Sequence, residues 1–209
     1  MPHSIRLTLL LAIFTAPSLC AQSDKRPDGW QVRLDKPGPD STKVVFASMA
    51  PGWHVTTGPA VILWNPATTA KGAYKAETNI HLFKPESGHA EAFGLFVGGA
   101  NLDGENESYT YFMIRNDGQY LVKQRAGKDT KDVIPWTKSP AIKLFDDKAE
   151  SVANVLTIVA SPATVDFLIN GTKVASKPRT DVTADGIVGL RVNHNLNLHV
   201  AKLEVTPLK

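Results

Sequence analysis

Two histidines, His194 and His199, sit in the stretch "DGIVGLRVNHNLNLHVAKLEV" that runs from Asp185 to Val205. Imidazoles bind metals and carry protons, but two on one strand share a face only at even spacing. These are five apart, an odd offset that puts them on opposite faces of an unbroken strand. Leu196, Leu198 and Val200 make one row, with Asn195, Asn197 and His199 opposite, whereas Leu203 and Val205 have shifted phase. That shift predicts a β-bulge near Ala201 and Lys202. The stretch reads as a half-buried final strand rather than a two-histidine metal site.

A second group does share a face. Within Tyr74 to Phe83, Ala76, Thr78, Ile80 and Leu82 make one row and Lys75, Glu77, Asn79 and His81 the other. Glu77 and His81, with Arg115 expected on a neighbouring strand, could hydrogen-bond sugar hydroxyls or serve as acid, base and charge stabiliser. The competing reading is a solvated face with ordinary ion pairs. Tryptophans offer large rigid rings for stacking, and Trp53, in "PGWHVTTG" beside His54, has the loop-like setting such a ring needs. Trp64 continues the apolar run "AVILW" and reads as core. The segment "NLDGENE" offers Asp103, Glu105, Asn106 and Glu107, oxygen ligands of the sort calcium takes. It lacks the full spacing of a calcium loop, so an exposed polar hairpin competes with that reading.

The chain that must position these groups has 209 residues. It opens with one basic residue, Arg6, then an apolar run from Leu7 to Ala16, then "PSLCA". This is the layout of a secretory signal with cleavage near Ala21, giving an expected secreted or periplasmic location. Pro17-Ser18-Leu19 is a poor approach to a lipidated Cys20, since a small residue is wanted immediately before such a cysteine. Removal of residues 1–21 takes the only cysteine, and with it any disulfide, thiolate metal site or cysteine nucleophile. The formal charge of +3 falls to +2 without Arg6, which gives no electrostatic case for nucleic acid. No later apolar run could span a membrane.

Almost everything after Pro39 reads as short β-branched and aromatic runs separated by Gly, Pro, Asn and Asp, the pattern of an all-β sandwich or barrel. Asp117-Gly118 and Asn170-Gly171 each sit between alternating runs and predict hairpins. The spacing predicts one short helical candidate, Phe145 to Ala153, and a loose segment over residues 22–38. A single domain over 22–209 is expected.

The ordered segments "EAFGLFVGG", "YTYFMIRNDGQYLVKQRAG", "NVLTIVASPATVDFLINGTKVAS", "GIVGLRVN" and "VAKLEVTPL" resemble the concanavalin A-like lectin/glucanase superfamily. They are most similar to its secreted bacterial branch of laminin-G-like and 3-keto-disaccharide hydrolase-like domains. The resemblance covers roughly residues 43–208 and implies a jelly-roll sandwich of two antiparallel sheets, one commonly a glycan-binding surface. The E-x-D-x-(x)-E strand of the retaining glucanases is absent, and Arg191 stands where the 3-keto-disaccharide branch implies glutamine. His194 could match that branch's histidine. The expected function is therefore a secreted lectin-like module for an oligosaccharide or polysaccharide, using Trp53, His54, Glu77, His81, Arg115, Arg191 and His194. The alternatives are a glycoside hydrolase or lyase of the 3-keto-disaccharide type, with Glu77 or His81 as acid or base, and a non-catalytic protein-binding adhesion module.

Overall fold

The computed structural model describes residues 26–85 and 88–209, so the expected signal segment lies outside the described residues. The strands in chain order are β1 (Gln31–Leu34), β2 (Val45–Ser48), β3 (Trp53–Thr57), β4 (Val61–Ala70) and β5 (Tyr74–Phe83). They continue with β6 (Ala92–Ala100), β7 (Ser108–Arg115), β8 (Gln119–Ala126), β9 (Asp129–Lys138) and β10 (Ser151–Ala160). The last four are β11 (Thr164–Ile169), β12 (Thr172–Pro178), β13 (Gly186–Val192) and β14 (Leu196–Pro207). They form two seven-stranded antiparallel sheets, ordered β1-β4-β13-β6-β7-β8-β9 and β12-β11-β10-β5-β14-β3-β2. The chain crosses between the sheets several times, as β4 to β5 and β13 to β14 show, which is the topology of a jelly roll.

Alternation explains the packing. In β5, Tyr74, Ala76, Thr78, Ile80 and Leu82 are buried while Lys75, Glu77, Asn79 and His81 are half-exposed. The inward rows of the two sheets meet in one core. Leu63, Leu95, Phe112, Ile114 and Leu190 come from the first sheet, and Val55, Ile80, Leu156, Ile158, Phe167 and Leu198 from the second. Each such side chain contributes about 1.5–3 kcal/mol of burial energy. The β7–β8 turn carries Gly118 at φ 80°, and in the β11–β12 turn Asn170 and Gly171 take φ values of 50° and 80°. Two successive left-handed residues are what a two-residue hairpin matched to strand twist requires. The register of β14 against β5 slips between Val200 and Lys202, where Thr78 Oγ1 donates to the Lys202 carbonyl at 2.8 Å.

Two local expectations need correction. Phe145 to Ala153 is not helical: residues 147–150 are turn and bend, and Ser151 opens β10. Ten residues of β10 pair with β5, and Asn154, Leu156, Ile158 and Ala160 turn inward, so tertiary pairing overrides a short helical preference. The segment 22–38 is not uniformly loose either, because Gln31–Leu34 pairs with β4 from Trp64 to Val61 as an edge strand.

Candidate functional site

The first sheet buries side chains on both faces. Away from the inter-sheet core, Ile62 and Trp64 on β4, Phe96 on β6, Tyr109, Tyr111 and Met113 on β7, and Leu121 on β8 form a second packed cluster with Leu102. Trp64 thus packs as its apolar run implies, but on the outer face of the sheet. A glycine makes this layer possible. A Cβ on Gly189, in β13, would stand 2.4 Å from the Leu63 carbonyl oxygen and 2.5 Å from the Phe96 ring. The Phe96 ring lies 5.1 Å from that of Tyr109, and the Tyr109 ring 5.6 Å from that of Tyr111.

Over this aromatic layer lies a network of buried and half-buried charges. Arg191 Nη1, from β13, donates to the Asp35 carboxylate and to the Tyr109 hydroxyl, each at 2.7 Å. Its guanidinium also lies 5.0 Å over the Tyr111 ring. Arg125, from β8, donates from Nε to Glu107 at 2.9 Å and stands 3.4 Å from Asp35 through Nη1. Arg33, from β1, pairs with Glu107 and donates to the Leu102 carbonyl at 3.2 Å. Asp35 leaves the end of β1 and Glu107 precedes the start of β7, so segments distant in sequence converge here.

Burial alone would raise the Asp35 pKa. The hydrogen bond and charge of Arg191, with Arg125 and Lys36 behind, outweigh that and hold the carboxyl below its ordinary 3.8. Burial pushes the Tyr109 hydroxyl up to about 12, partly offset by the Arg191 charge. The network opens into a cleft of about 460 Å³ lined by Arg33, Asp35, Lys36, Glu107, Arg125 and Lys128, among others. A cleft of about 590 Å³ lies beside β1 and β2, but its lining is mostly apolar, with Val32, Leu34, Val44, Val45 and Phe46 beside Arg26, Ser41 and Thr42. Convergent polar groups, rather than volume, mark a site that can orient a ligand.

The outer face of the second sheet is polar in a different way. Glu77 accepts from Lys75 at 3.3 Å and from Thr157 Oγ1 at 3.2 Å, with Lys202 3.6 Å away. Burial works to raise its pKa, but Lys75, Thr157 and Lys202 together hold it below the ordinary value. His81, His199 and His54 lie directly opposite one another on β5, β14 and β3. Their ring centroids are 5.5 Å apart for His81–His199 and 6.3 Å for His54–His199. His54 Nε2 also contacts Asn197 Oδ1. Burial, then the His81 and His54 rings, holds the His199 pKa below its ordinary 6.5.

The expected site residues are therefore dispersed. Glu77 and His81 share a face as spacing implies, and strand pairing brings His54 to it, but Arg115 is on the other sheet and does not join them. Arg115 pairs with Asp117 at 2.6 Å and lies 4.0 Å over the Trp136 ring. Trp53 is not a stacking platform: its indole turns into the core against Trp30 and Phe46, at ring distances of 4.8 and 5.7 Å. His194 lies exposed in the β13–β14 turn, 3.8 Å from Glu91. Of the calcium candidates, Asp103 and Glu105 are exposed, whereas Glu107 is buried with its oxygens on Arg33 and Arg125. That last carboxylate neutralises guanidiniums and does not turn outward with the other two.

Arg33, Asp35, Arg125, Tyr109 and Tyr111 escape the sequence reading. One signal for them exists: the Asp117-Gly118 turn fixes the β7–β8 register, which sets Tyr109 opposite Arg125 and Tyr111 opposite Lys123. The convergence of β1 and β13 on that hairpin has no local signal.

No protein-family model matches the chain, and no curated protein matches it. Solved structures do. The carbohydrate-binding module CBM66 from Bacillus subtilis superposes with a TM-score of 0.61 at 13% identity, over 85% of this chain and 95% of that one. A Bacteroides ovatus mixed linkage glucan GH16 protein in complex with a G4G4G3G product gives 0.60 at 9% identity, over 88% and 98%. An endo-β-1,3-glucanase from Pyrococcus furiosus gives 0.60 at 10% identity, over 89% and 92%. At these identities the likeness establishes the fold alone: the chain is an all-β jelly-roll sandwich of two seven-stranded antiparallel sheets.

Proposed function

We propose that this chain is an exported, lectin-like carbohydrate-binding domain that holds a glycan at the charged cleft on the outer face of its first sheet. One observation carries the reading: the ion-pair network of Arg33, Asp35, Glu107, Arg125 and Arg191 sits outside the core and opens into that cleft. Desolvating five charges is expensive, and replacing such groups by apolar ones is often neutral or stabilising, so folding alone does not account for the network. Fixed guanidinium and carboxylate groups are the donors and acceptors that sugar hydroxyls need. The structural neighbours, by name a carbohydrate-binding module, a mixed linkage glucan GH16 protein and an endo-β-1,3-glucanase, point to the same ligand class. The closer tie to the laminin-G-like and 3-keto-disaccharide hydrolase-like branch is part of this proposal and rests on the order of the sequence segments.

Binding is favoured over hydrolysis by the state of the carboxylates. Glycoside cleavage needs a carboxylic acid whose pKa is raised so that it can protonate the leaving oxygen. Asp35 on one outer face and Glu77 on the other are instead both held ionised. An adhesion role would call for a broad exposed apolar patch. Among the described residues the exposed large apolar side chains are Val45, Trp136, Leu144 and Leu208, on separate elements.

Saturation-transfer NMR of the purified protein with a panel of oligosaccharides, 3-keto-disaccharides included, with and without calcium, tests the reading. Transfer to a sugar that stays unchanged supports it. New anomeric signals replace it with the hydrolase reading, and the absence of any transfer overturns it.

A further inference from the structure

We infer that the cleft takes an acidic sugar, a uronate carrying a carboxylate, rather than a neutral one; this rests on the carbohydrate-binding reading above. The cleft lining contains four cationic side chains, Arg33, Lys36, Arg125 and Lys128, against three carboxylates, Asp35, Glu105 and Glu107. Arg191 stands directly behind Asp35 and adds a fifth positive charge at 2.7 Å. Two of the carboxylates are already engaged: Asp35 by Arg191 and Arg125, Glu107 by Arg33 and Arg125. The local balance is therefore positive, in a chain whose whole net charge is only +3.

The geometry of the pairs matters as much as the count. Among the described residues these contacts run through Nη1 of Arg33 and through Nε and Nη1 of Arg125, and no hydrogen bond uses Nη2 of either. A guanidinium presents its N–H groups in a planar fork that matches a carboxylate. Arg33 and Arg125 are also the more accessible of the three arginines, with 28% and 14% of their side-chain surface exposed against 9% for Arg191, while the Asp35 carboxylate, at 16%, is tied to Arg191 and Arg125. Lys36 and Lys128 are exposed on the loop after β1 and the β8–β9 turn, where they meet the outer part of a bound oligosaccharide. In this arrangement a ligand carboxylate completes the charge balance of the network instead of competing with it. A neutral sugar leaves the excess cation uncompensated.

Calorimetric titration of the protein with a linear oligogalacturonate, and with the same oligosaccharide after reduction of its carboxyl groups, separates the possibilities. The inference predicts affinity at least about tenfold higher for the uronate, and a marked weakening with added salt. The double variant Lys36→Gln/Lys128→Gln, which leaves the ion-pair network intact, should weaken uronate binding several-fold. Equal binding of the uronate and the reduced sugar, or of neutral glucans alone, overturns this inference while leaving the carbohydrate reading in place. If no oligosaccharide of any kind binds, both fall together.

Discussion

Arg191 Nη1 is shared between the Asp35 carboxylate and the Tyr109 hydroxyl, both at 2.7 Å, on a face of the sandwich that the inter-sheet core does not use. The three residues come from just past the end of β1, the start of β7 and the end of β13. One guanidinium thereby ties three strands together and fixes the position of the groups that line the cleft.

Removing that guanidinium should be more damaging than removing the whole pair. Arg191→Met leaves the Asp35 carboxylate half-buried with only the longer Arg125 contact, so a loss of about 3 kcal/mol in urea denaturation is expected. Adding Asp35→Asn to the same chain should recover a substantial part of it. A double variant no more stable than Arg191→Met alone would show that the two do not couple.

Acid should act on the same pair. The Asp35 pKa in the folded chain lies below its ordinary 3.8, so its stabilising contribution is present above that value and is lost as pH falls through the folded pKa. Thermal melts from pH 5 down to 2 should show a steeper decline for the wild type than for Asp35→Asn. Parallel curves would mean that the ion pair contributes nothing to acid stability.

Histidine protonation should destabilise the opposite face. The His199 pKa lies below 6.5 in the fold, because burial and the flanking His81 and His54 rings disfavour its charged form. As pH falls below 6.5 the unfolded chain takes up the proton first, so stability declines toward the folded pKa and is fully kept above 6.5. NMR titration of the imidazole carbons should place the His199 midpoint below 6.5. His199→Gln should flatten the loss of stability between about pH 7 and pH 5.

Gly189 is required by the aromatic layer. Gly189→Ala puts a methyl group 2.5 Å from Phe96 and 2.4 Å from the Leu63 carbonyl, which no small rotation relieves. A stability loss of about 1–3 kcal/mol is expected, along with disturbed ring resonances of Phe96 and Tyr109. Wild-type stability in this variant would show that the layer is looser than its spacing implies.

How much of this was legible in the sequence depends on the range of the signal. Strand identity is local: the alternation in Tyr74–Phe83 and the Asn170-Gly171 turn report it directly, and the phase shift at Ala201 marks the bulge. Burial direction is less local. Trp53 and His54 are adjacent, and whether the indole or the imidazole faces the core is decided by the pairing of β3 with β14, not by the loop-like sequence around them. The site is the least local feature. Its charges lie at positions 33, 35, 107, 125 and 191, and only the sheet order β1-β4-β13-β6-β7-β8 brings them together. Arg191 enters the sequence reading only as the residue that stands where the 3-keto-disaccharide branch implies glutamine. Its partners were not legible, because an arginine or glutamate at the edge of a strand has the same appearance in sequence whether it is solvated or paired.

The most direct test of a glycan site on the first sheet is chemical-shift mapping of the ¹⁵N-labelled protein during titration with whichever panel oligosaccharide shows saturation transfer. The account predicts that perturbations concentrate at Arg33, Tyr109, Arg125, Lys128 and Arg191, on or beside the cleft. Perturbations centred on Glu77, His81 and His199, on the outer face of the second sheet, would contradict it.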